Sequence, residues 1–89
     1  MLDVSIIIVN YNTKEITSNC INSIINHTSG VGYEIILVDN ASTDGSVDLF
    51  KDNKSIILIA SNVNLGFGKA NNLGYSKSRG KYIFLFESH

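Results

Sequence analysis

The sequence of 89 residues has no proline, no tryptophan, one cysteine and two histidines. A single thiol, Cys20, excludes an internal disulfide, so the chain is not one of the small secreted domains that disulfides hold together. One cysteine with His27 and His89 cannot form a metal cluster unless carboxylates contribute ligands. Because low-complexity segments are also absent, no linker divides the chain, and its length predicts one small domain.

Net charge and long apolar segments are equally scarce. The formal charge is -1, from seven Lys and Arg against eight Asp and Glu, so charge does not steer the chain toward nucleic acid and we expect no such partner. Apolar runs such as residues 6–9 and 35–38 fall far short of the ~20 residues that span a bilayer. Residues 1–3 lack the basic segment of a signal peptide. We expect a cytoplasmic location, and the alternative is membrane association of the full-length protein.

Apolar runs rich in β-branched residues alternate with helical patterns along the chain. The runs are residues 4–9, 34–38, 55–59 and 82–86, and the helical segments are residues 12–27, 47–50 and 66–79. Strands that alternate with helices form a parallel sheet through right-handed crossovers. The sequence therefore predicts an α/β fold of order βαβαβαβ, an open parallel sheet with helices on both faces and the first strand at its centre.

Two of the helices have a predicted buried face. Asn12 is the expected N-cap of the first helix, with Glu15 three residues later as in a capping box. The apolar face of the first helix would carry Ile16, Cys20, Ile21, Ile24 and Ile25. The face of the third helix would carry Phe67, Ala70, Leu73 and Lys77. We expect both faces to pack on the sheet.

Polar residues follow each predicted strand. In an open parallel sheet, ligands bind beyond the carboxyl ends of the strands, where the strand order reverses. Asp39 ends the second strand, where its carboxylate would accept hydrogen bonds from a ribose or a base, or would instead cap the turn from Ser42 to Ser46. The residue alone leaves these roles at even odds, whereas Asp44 fits a structural role at the first turn of the short helix.

A glycine-rich segment, N-L-G-F-G-K-A-N-N, occupies residues 64–72 after the third strand. It resembles a phosphate loop that leads into a helix N-terminus, with Lys69 as the cation. The pattern reads G-x-G-x-x-N, and the first strand-to-helix turn has no glycine, which argues against a dinucleotide site. The alternative is that the two glycines only permit a tight turn while Asn71 and Asn72 face solvent.

The end of the fourth strand carries Glu87 and His89, which lie two positions apart and so point the same way from an extended segment. A divalent cation would accept both ligands, and the alternative is a frayed terminus. The apolar strand at residues 82–86 lies near an edge of a small sheet, so we expect a homo-oligomer through that exposed edge.

Three segments together resemble the amino-terminal part of the family 2 glycosyltransferases, and the rhamnosyltransferase-like branch in particular. They read V-S-I-I-I-V-N-Y-N at 4–12, I-L-V-D-N-A-S-T-D-G-S at 36–46, and N-L-G-F-G-K-A-N-N-L-G at 64–74, followed by R-G-K-Y-I-F-L-F. The resemblance covers nearly the whole chain in the family's order and spacing. It implies the Rossmann-like, nucleotide-binding half of a GT-A fold, which transfers a sugar from a nucleotide-diphosphate sugar donor to an acceptor, usually with Mn²⁺ or Mg²⁺.

The resemblance also implies roles for individual residues. The donor site would consist of Asn10, Tyr11, Asn12, Asp39, Asn40, Gly66, Lys69, Asn71 and Asn72. The first three would line the base pocket, and Asp39 would hydrogen-bond the base. Asn71 replaces the family's usual cation, which leaves Lys69 to face the diphosphate. The family's metal motif falls on Glu87 and His89, where the imidazole shifts the expected metal from Mg²⁺ toward Mn²⁺.

Residues 1–89 are accordingly expected to be the donor-binding part of a glycosyltransferase domain, without the acceptor-binding part and inactive alone. The acceptor would be a cell-surface polysaccharide precursor at a membrane. No residue is assigned a catalytic role, since the general base of inverting members has no counterpart in this sequence. The alternative is a non-catalytic nucleotide-binding or assembly module that needs a partner chain, and a dinucleotide-dependent oxidoreductase fragment is disfavoured by the glycine-free first turn.

Overall fold

One four-stranded sheet with three helices makes up the part of the chain that the computed structural model describes, residues 2–87. The elements are β1 (Val4–Asn10), α1 (Lys14–His27), β2 (Tyr33–Asn40), α2 (Ser46–Phe50), β3 (Ile57–Ser61), α3 (Phe67–Ser76) and β4 (Tyr82–Glu87). The predicted order βαβαβαβ and the α/β class are confirmed. No helix within residues 2–87 has the length and apolar content needed to cross a membrane.

The strands lie in the order β3-β2-β1-β4, and every pairing is parallel. β1 is central, as predicted, because the chain first moves outward to β2 and β3 and then returns through α3 to the other side of β1. The strand order therefore reverses between β1 and β4. Open α/β sheets leave a crevice for ligands at such a position, beyond the carboxyl ends of the strands.

Helices cover β1 and β2 on both faces, which confirms the predicted layering. The buried cluster on one face, with contributions from α1 and α2, is Ile6, Ile8, Ile21, Ile35, Leu37 and Phe50. The cluster on the other face, which includes one residue of α3, is Ile7, Val9, Ile36, Val38 and Ala70. Successive residues of each strand alternate between the clusters, as the two-residue period of a strand requires. Cys20 packs against the first cluster, and burial raises the pKa of its thiol.

The predicted N-cap of α1 is wrong by one residue. Thr13 is the N-cap, and its side chain makes no capping hydrogen bond. Asn12 instead has a φ of 53°. The Lys14 N–H donates to Asp44 Oδ2 at 3.0 Å, so a carboxylate from a distant loop satisfies the helix donor that Asn12 was predicted to cap.

The predicted buried faces of α1 and α3 are also partly wrong. Ile16 and Phe67 are exposed, and the residues of α3 that are buried are Ala70, Asn71 and Gly74. A Cβ at position 74 would lie 2.6 Å from Cγ2 of Ile7. Glycine at this position therefore lets α3 approach the sheet closely. The side of α3 that faces β1 carries Gly74 and not a larger apolar residue.

Candidate functional site at the carboxyl edge

Asn10 and Asp39 lie side by side at the carboxyl ends of β1 and β2, where the strand register pairs them. Asn10 Nδ2 donates to Asp39 Oδ1 at 2.7 Å and to Ser42 Oγ at 3.2 Å. Asn10 Oδ1 accepts from the hydroxyls of Thr13 at 3.0 Å and Thr17 at 2.7 Å. Both donors and both lone pairs of the Asn10 amide are thus used within the protein. Its role in the base pocket stays a prediction, and the structure shows it orienting Asp39.

Asp39 fills the second of its two predicted roles and keeps capacity for the first. Its Oδ2 accepts from the Ser42 N–H at 2.9 Å, which caps the turn after β2. An ionised carboxylate offers about four acceptor positions, and the bonds from Asn10 and Ser42 occupy two. Asp39 is 0% exposed and is one of the residues that line a cavity of about 390 Å³. The other lining residues are Ala41, Ser42, Thr43, Val47, Ala60, Ser61 and Asn62.

The loops after β1 and β2 hold a strained backbone. Asn12 and Ala41, with φ of 53° and 66°, are the residues other than glycine in the described chain that have a positive φ. The Asn12 N–H donates to Ser42 Oγ at 2.9 Å, and its Oδ1 accepts from the Thr43 N–H at 2.7 Å. Strained residues of this kind concentrate at ligand sites. Tyr11, which precedes Asn12 in the loop after β1, is 48% exposed.

Asp44 has the structural role that the sequence predicts, although it precedes α2 rather than lying in its first turn. Its Oδ1 accepts from the Ser46 N–H at 3.0 Å and from the Ser46 hydroxyl, and its Oδ2 accepts from Lys14. The Ser46 hydroxyl does most to lower the pKa of Asp44. Desolvation raises this pKa by less, and the backbone N–H groups of Lys14, Ser46 and Asp44 lower it further. One carboxylate therefore joins the N-termini of α1 and α2.

The glycine-rich segment is held to the end of β2 by Asn40. Asn40 Oδ1 accepts from the Leu65 N–H at 2.7 Å, and its Nδ2 donates to the Gly66 carbonyl at 3.4 Å. Gly66 is the N-cap of α3 with a φ of 80°, a conformation that favours glycine. Lys69 lies exposed in the first turn of α3. The structure thus brings a helix N-terminus and an ammonium group to the same edge as Asp39, an arrangement that suits an anion.

Asn71 and Asn72 differ sharply in their surroundings. Asn72 is exposed, as the solvent-facing alternative predicts, but that alternative is wrong for Asn71, which is 8% exposed. Asn71 Oδ1 is buried and has no hydrogen-bond partner among residues 2–87. A buried polar atom without a partner costs about 1–3 kcal/mol, so a ligand group that donates to this oxygen would remove that cost.

The predicted metal ligands, Glu87 and His89, lie at or beyond the end of the part of the chain that the structure describes. Glu87 is the last residue of β4, while its side chain and all of His89 lie outside the described part of the chain. Among the side chains that the structure describes, no group of three or more His, Cys, Asp and Glu is placed to hold a metal ion.

The sequence missed Thr17 and part of the role of Ser42. The predicted turn brings Ser42 to Asp39, but Ser42 also bonds Asn10 and Asn12, which no local pattern indicates. Thr17 donates to Asn10 from inside α1. It lies one helical turn after Thr13, so the pair faces the end of β1 together.

Comparisons with known proteins agree with this architecture. The family model described as glycosyl transferase family 2 matches residues 5–89. A poly(ribitol-phosphate) beta-glucosyltransferase of Bacillus spizizenii is 34% identical over 93 residues, which cover 98% of this chain and 15% of that protein. Glycosyltransferase GlyG of Streptococcus pneumoniae is 33% identical over 90 residues, which cover 96% of this chain and 29% of that protein.

A solved structure shares the fold. The crystal structure of S. aureus TarS 1-349 in complex with UDP superimposes with a TM-score of 0.82 at 21% identity, over 98% of this chain and 27% of that one. At this identity the likeness concerns the fold alone. The chain spans less than a third of the length of these relatives.

Proposed function

The chain belongs to glycosyl transferase family 2, and we propose that residues 1–89 bind the nucleotide-diphosphate sugar donor of a glycosyltransferase. The UDP complex of TarS and the glycosyltransferase names of the relatives support this proposal. Since the chain spans 15% and 29% of those relatives, sugar transfer is proposed for the full-length protein. The acceptor in this proposal is a cell-surface polysaccharide precursor, and the name of the B. spizizenii relative, a poly(ribitol-phosphate) glucosyltransferase, supports a polymer as the acceptor.

Asp39 is the observation that carries the proposal. A buried carboxylate would be costly without donors, yet Asn10 and Ser42 supply only one hydrogen bond to each of its oxygens. The imide or amino N–H groups of a nucleotide base are suitable further donors. Because Asn10 has no hydrogen-bonding capacity left, it holds in one orientation the Asp39 carboxylate, which belongs to a residue that lines the cavity at the carboxyl ends of β2 and β3.

The diphosphate is assigned to the start of α3. Gly66 opens that helix without a side-chain cap, so its first N–H groups are available to an anion, and Lys69 adds a positive charge in the same turn. Asn71 Oδ1 is an acceptor and therefore suits a hydroxyl of the ribose or of the sugar rather than a phosphate.

A divalent cation belongs to the proposal at Glu87 and His89. A carboxylate and an imidazole are ligands that Mn²⁺ accepts more readily than Mg²⁺ does. When bound, the cation would neutralise charge on the diphosphate.

Calorimetric titration of the chain with UDP, GDP and dTDP, with and without Mn²⁺, tests the donor site. We expect one of the three to bind, and Asp39→Asn to weaken it about tenfold or more, because a hydrogen bond to a charged group contributes about 1.5–3 kcal/mol. The matched control is Asp48→Asn, which removes an exposed carboxylate of α2 that pairs only with Lys51 at 3.4 Å among the described residues.

Circular dichroism melting of both variants establishes that they fold. Failure of all three nucleotides to bind, or an equal loss in the two variants, would contradict a base site at Asp39. An affinity that Mn²⁺ leaves unchanged would remove Glu87 and His89 from the proposal.

A further inference from the structure

Thr17 is a buried polar residue in the first half of α1. It is 0% exposed, as are Asn10 at the end of β1 and Asp39 at the end of β2. The Thr17 hydroxyl donates to Asn10 Oδ1 at 2.7 Å, and Asn10 Nδ2 donates to Asp39 Oδ1 at 2.7 Å. Three buried side chains from three elements thus form one chain of hydrogen bonds, which begins at a helix hydroxyl and ends on the carboxylate of the candidate site.

The Asn10 amide is held in one orientation by the groups at both of its ends. Thr13 is a second hydroxyl donor to Asn10 Oδ1, at 3.0 Å, so both lone pairs of this oxygen are occupied. A rotation of the amide by 180° would place Oδ1 against the carboxylate, where two acceptors would meet. Donation to an amide oxygen also makes the N–H groups of that amide stronger donors, because hydrogen bonds in a chain polarise one another. Thr17 therefore acts on the Asp39 carboxylate through Asn10.

The same amide determines the hydrogen bonding of Ser42, a second residue of the cavity that Asp39 lines. Ser42 Oγ accepts from Asn10 Nδ2 at 3.2 Å and from the Asn12 N–H at 2.9 Å. These two bonds use both lone pairs of the hydroxyl oxygen, which leaves its proton for an acceptor on a ligand. The cavity thus has an acceptor in Asp39 and a donor in Ser42, and both depend on the orientation of Asn10.

We propose that Thr17 is a positioning residue of the donor site, which holds the Asp39 carboxylate in place through Asn10 before a nucleotide base arrives. The inference rests on the function proposed above, since Asp39 is the base acceptor in that function. Because Thr17 has no exposed surface, it contributes to binding only through the side chains next to it. A group that is already ordered loses less conformational freedom when a ligand binds, so removal of the Thr17 hydroxyl weakens nucleotide binding.

Two substitutions separate the hydroxyl of Thr17 from its shape. Thr17→Val keeps the branched shape and removes the hydroxyl, whereas Thr17→Ser keeps the hydroxyl and removes the methyl group. In calorimetric titration of the full chain with UDP, GDP and dTDP, we expect Thr17→Val to weaken the nucleotide that binds about three- to tenfold, a usual coupling within a hydrogen-bond network. Thr17→Ser should recover most of the affinity. Thr28→Val, the same change at the C-cap of α1, is the control and should have no effect.

A double-mutant cycle tests whether Thr17 acts through Asp39. In an Asp39→Asn background, Thr17→Val should weaken binding by less than about twofold further, because residues of one network do not contribute additively. Losses that multiply in the double variant would show that Thr17 affects binding independently of the carboxylate, and would overturn the proposal.

Exchange of the Asn10 side-chain amide protons, measured by NMR, reports the chain of hydrogen bonds without a ligand. Thr17→Val should make this exchange about two- to tenfold faster, the factor that corresponds to one hydrogen bond, and Thr17→Ser should leave it slow. Weaker nucleotide binding with unchanged exchange at Asn10 would contradict the proposed route from Thr17 to Asp39.

The outcomes distinguish this inference from the proposed function. If Asp39→Asn weakens binding but Thr17→Val changes it less than twofold, or if Thr17→Ser weakens it as much as Thr17→Val does, the inference alone is wrong. Failure of all three nucleotides to bind, or no effect of Asp39→Asn, overturns the proposed function and the inference with it.

Thr13→Val keeps the inference testable if Thr17→Val does not fold. Thr13 is only partly buried, and its side chain makes no capping hydrogen bond, so this variant removes the longer bond to Asn10 Oδ1 at 3.0 Å with little other change. We expect a smaller loss of nucleotide affinity in the same direction. Unchanged affinity in Thr13→Val would then overturn the inference.

Discussion

Glu34 is a buried carboxylate at the amino end of β2 that joins three parts of the chain. Its Oε2 accepts from the Ser5 hydroxyl at 2.6 Å and from the Arg79 N–H at 2.7 Å. The other oxygen, Oε1, lies 3.5 Å from Arg79 Nε, an ion-pair distance that is longer than a good hydrogen bond. The Gly80 N–H in turn donates to Ser5 Oγ at 2.8 Å. The network therefore fixes the point at which the chain enters β4.

The charge of Glu34 makes folding depend on acid pH. Burial raises the pKa of this carboxyl, but the hydrogen bonds from Ser5 and Arg79 and the charge of Arg79 together lower it more, so the pKa lies below its ordinary value. The unfolded state therefore binds the proton more tightly. We expect this part of the free energy of unfolding to be complete above the ordinary glutamate pKa of about 4.3 and to be lost as the pH falls through the lower pKa of the folded state.

Glu34→Gln should lower the free energy of unfolding at pH 7 by about 1–3 kcal/mol, because it removes the charge from the acceptor of Ser5 and Arg79 and places an amide donor, in the position of Oε1, against the Arg79 guanidinium. Urea unfolding at pH 7 and near pH 3 measures this difference, which should shrink at the acid value. Glu15→Gln, on the exposed side of α1, is the control. A difference that is independent of pH would show that shape, not charge, makes Glu34 stabilising.

At the scale of elements, two glycines of α3 differ in the space around them: Gly74 lies against the sheet, whereas Gly68 has open space beside it. Gly74→Ala introduces a Cβ that would lie 2.6 Å from Ile7 Cγ2 and 3.2 Å from Val38 Cγ2. We expect it to destabilise the protein by about 1–3 kcal/mol, since both neighbours lie in a packed core. Gly68→Ala meets nothing within 4 Å and should stabilise the same helix by up to about 1 kcal/mol. Urea unfolding measures the change in free energy of unfolding for both variants. Equal effects would mean that close contact at Gly74 does not determine the position of α3 on the sheet.

The elements that the sequence predicts well are those with a local signal. The apolar runs located all four strands, although β3 lies at Ile57–Ser61 rather than at residues 55–59. The N-cap of α1 could not be predicted, because the carboxylate that caps it, Asp44, lies 30 residues away in the chain. The same reason applies to the contact between Glu34 and Arg79, which are 45 residues apart.

The candidate site likewise has residues that local patterns predict and residues whose surroundings depend on distant contacts. Asp39 could be placed at the end of β2 from the pattern of one strand, and its turn contact with Ser42 is local. The burial of Asn71 depends instead on how closely α3 approaches the sheet, which Gly74 controls and which no helical periodicity shows. The ligand contact of Asn10 stays a prediction, and the four hydrogen bonds that saturate its amide could not be foreseen, because their partners lie in other parts of the chain.

For the whole molecule, burial is concentrated in the two central strands. Ile7 and Ile8 of β1 and Ile36 and Leu37 of β2 are fully buried, whereas Ile57 of β3 is 40% exposed. Amides in such a core exchange with solvent only through global unfolding, while edge strands open locally at lower cost. We therefore expect amides of β1 and β2 to exchange on the order of 100-fold more slowly than those of β3 and β4 in a dilute sample, measured by hydrogen exchange with mass spectrometry.

Measurement at two protein concentrations is the control for this prediction. Exchange rates in β3 and β4 that do not change with concentration report the intrinsic stability of those strands, whereas rates that fall with concentration would report association. If neither β3 nor β4 exchanged faster than β1 in the dilute sample, the prediction would be wrong, because the folded core would then extend over all four strands as one cooperative unit.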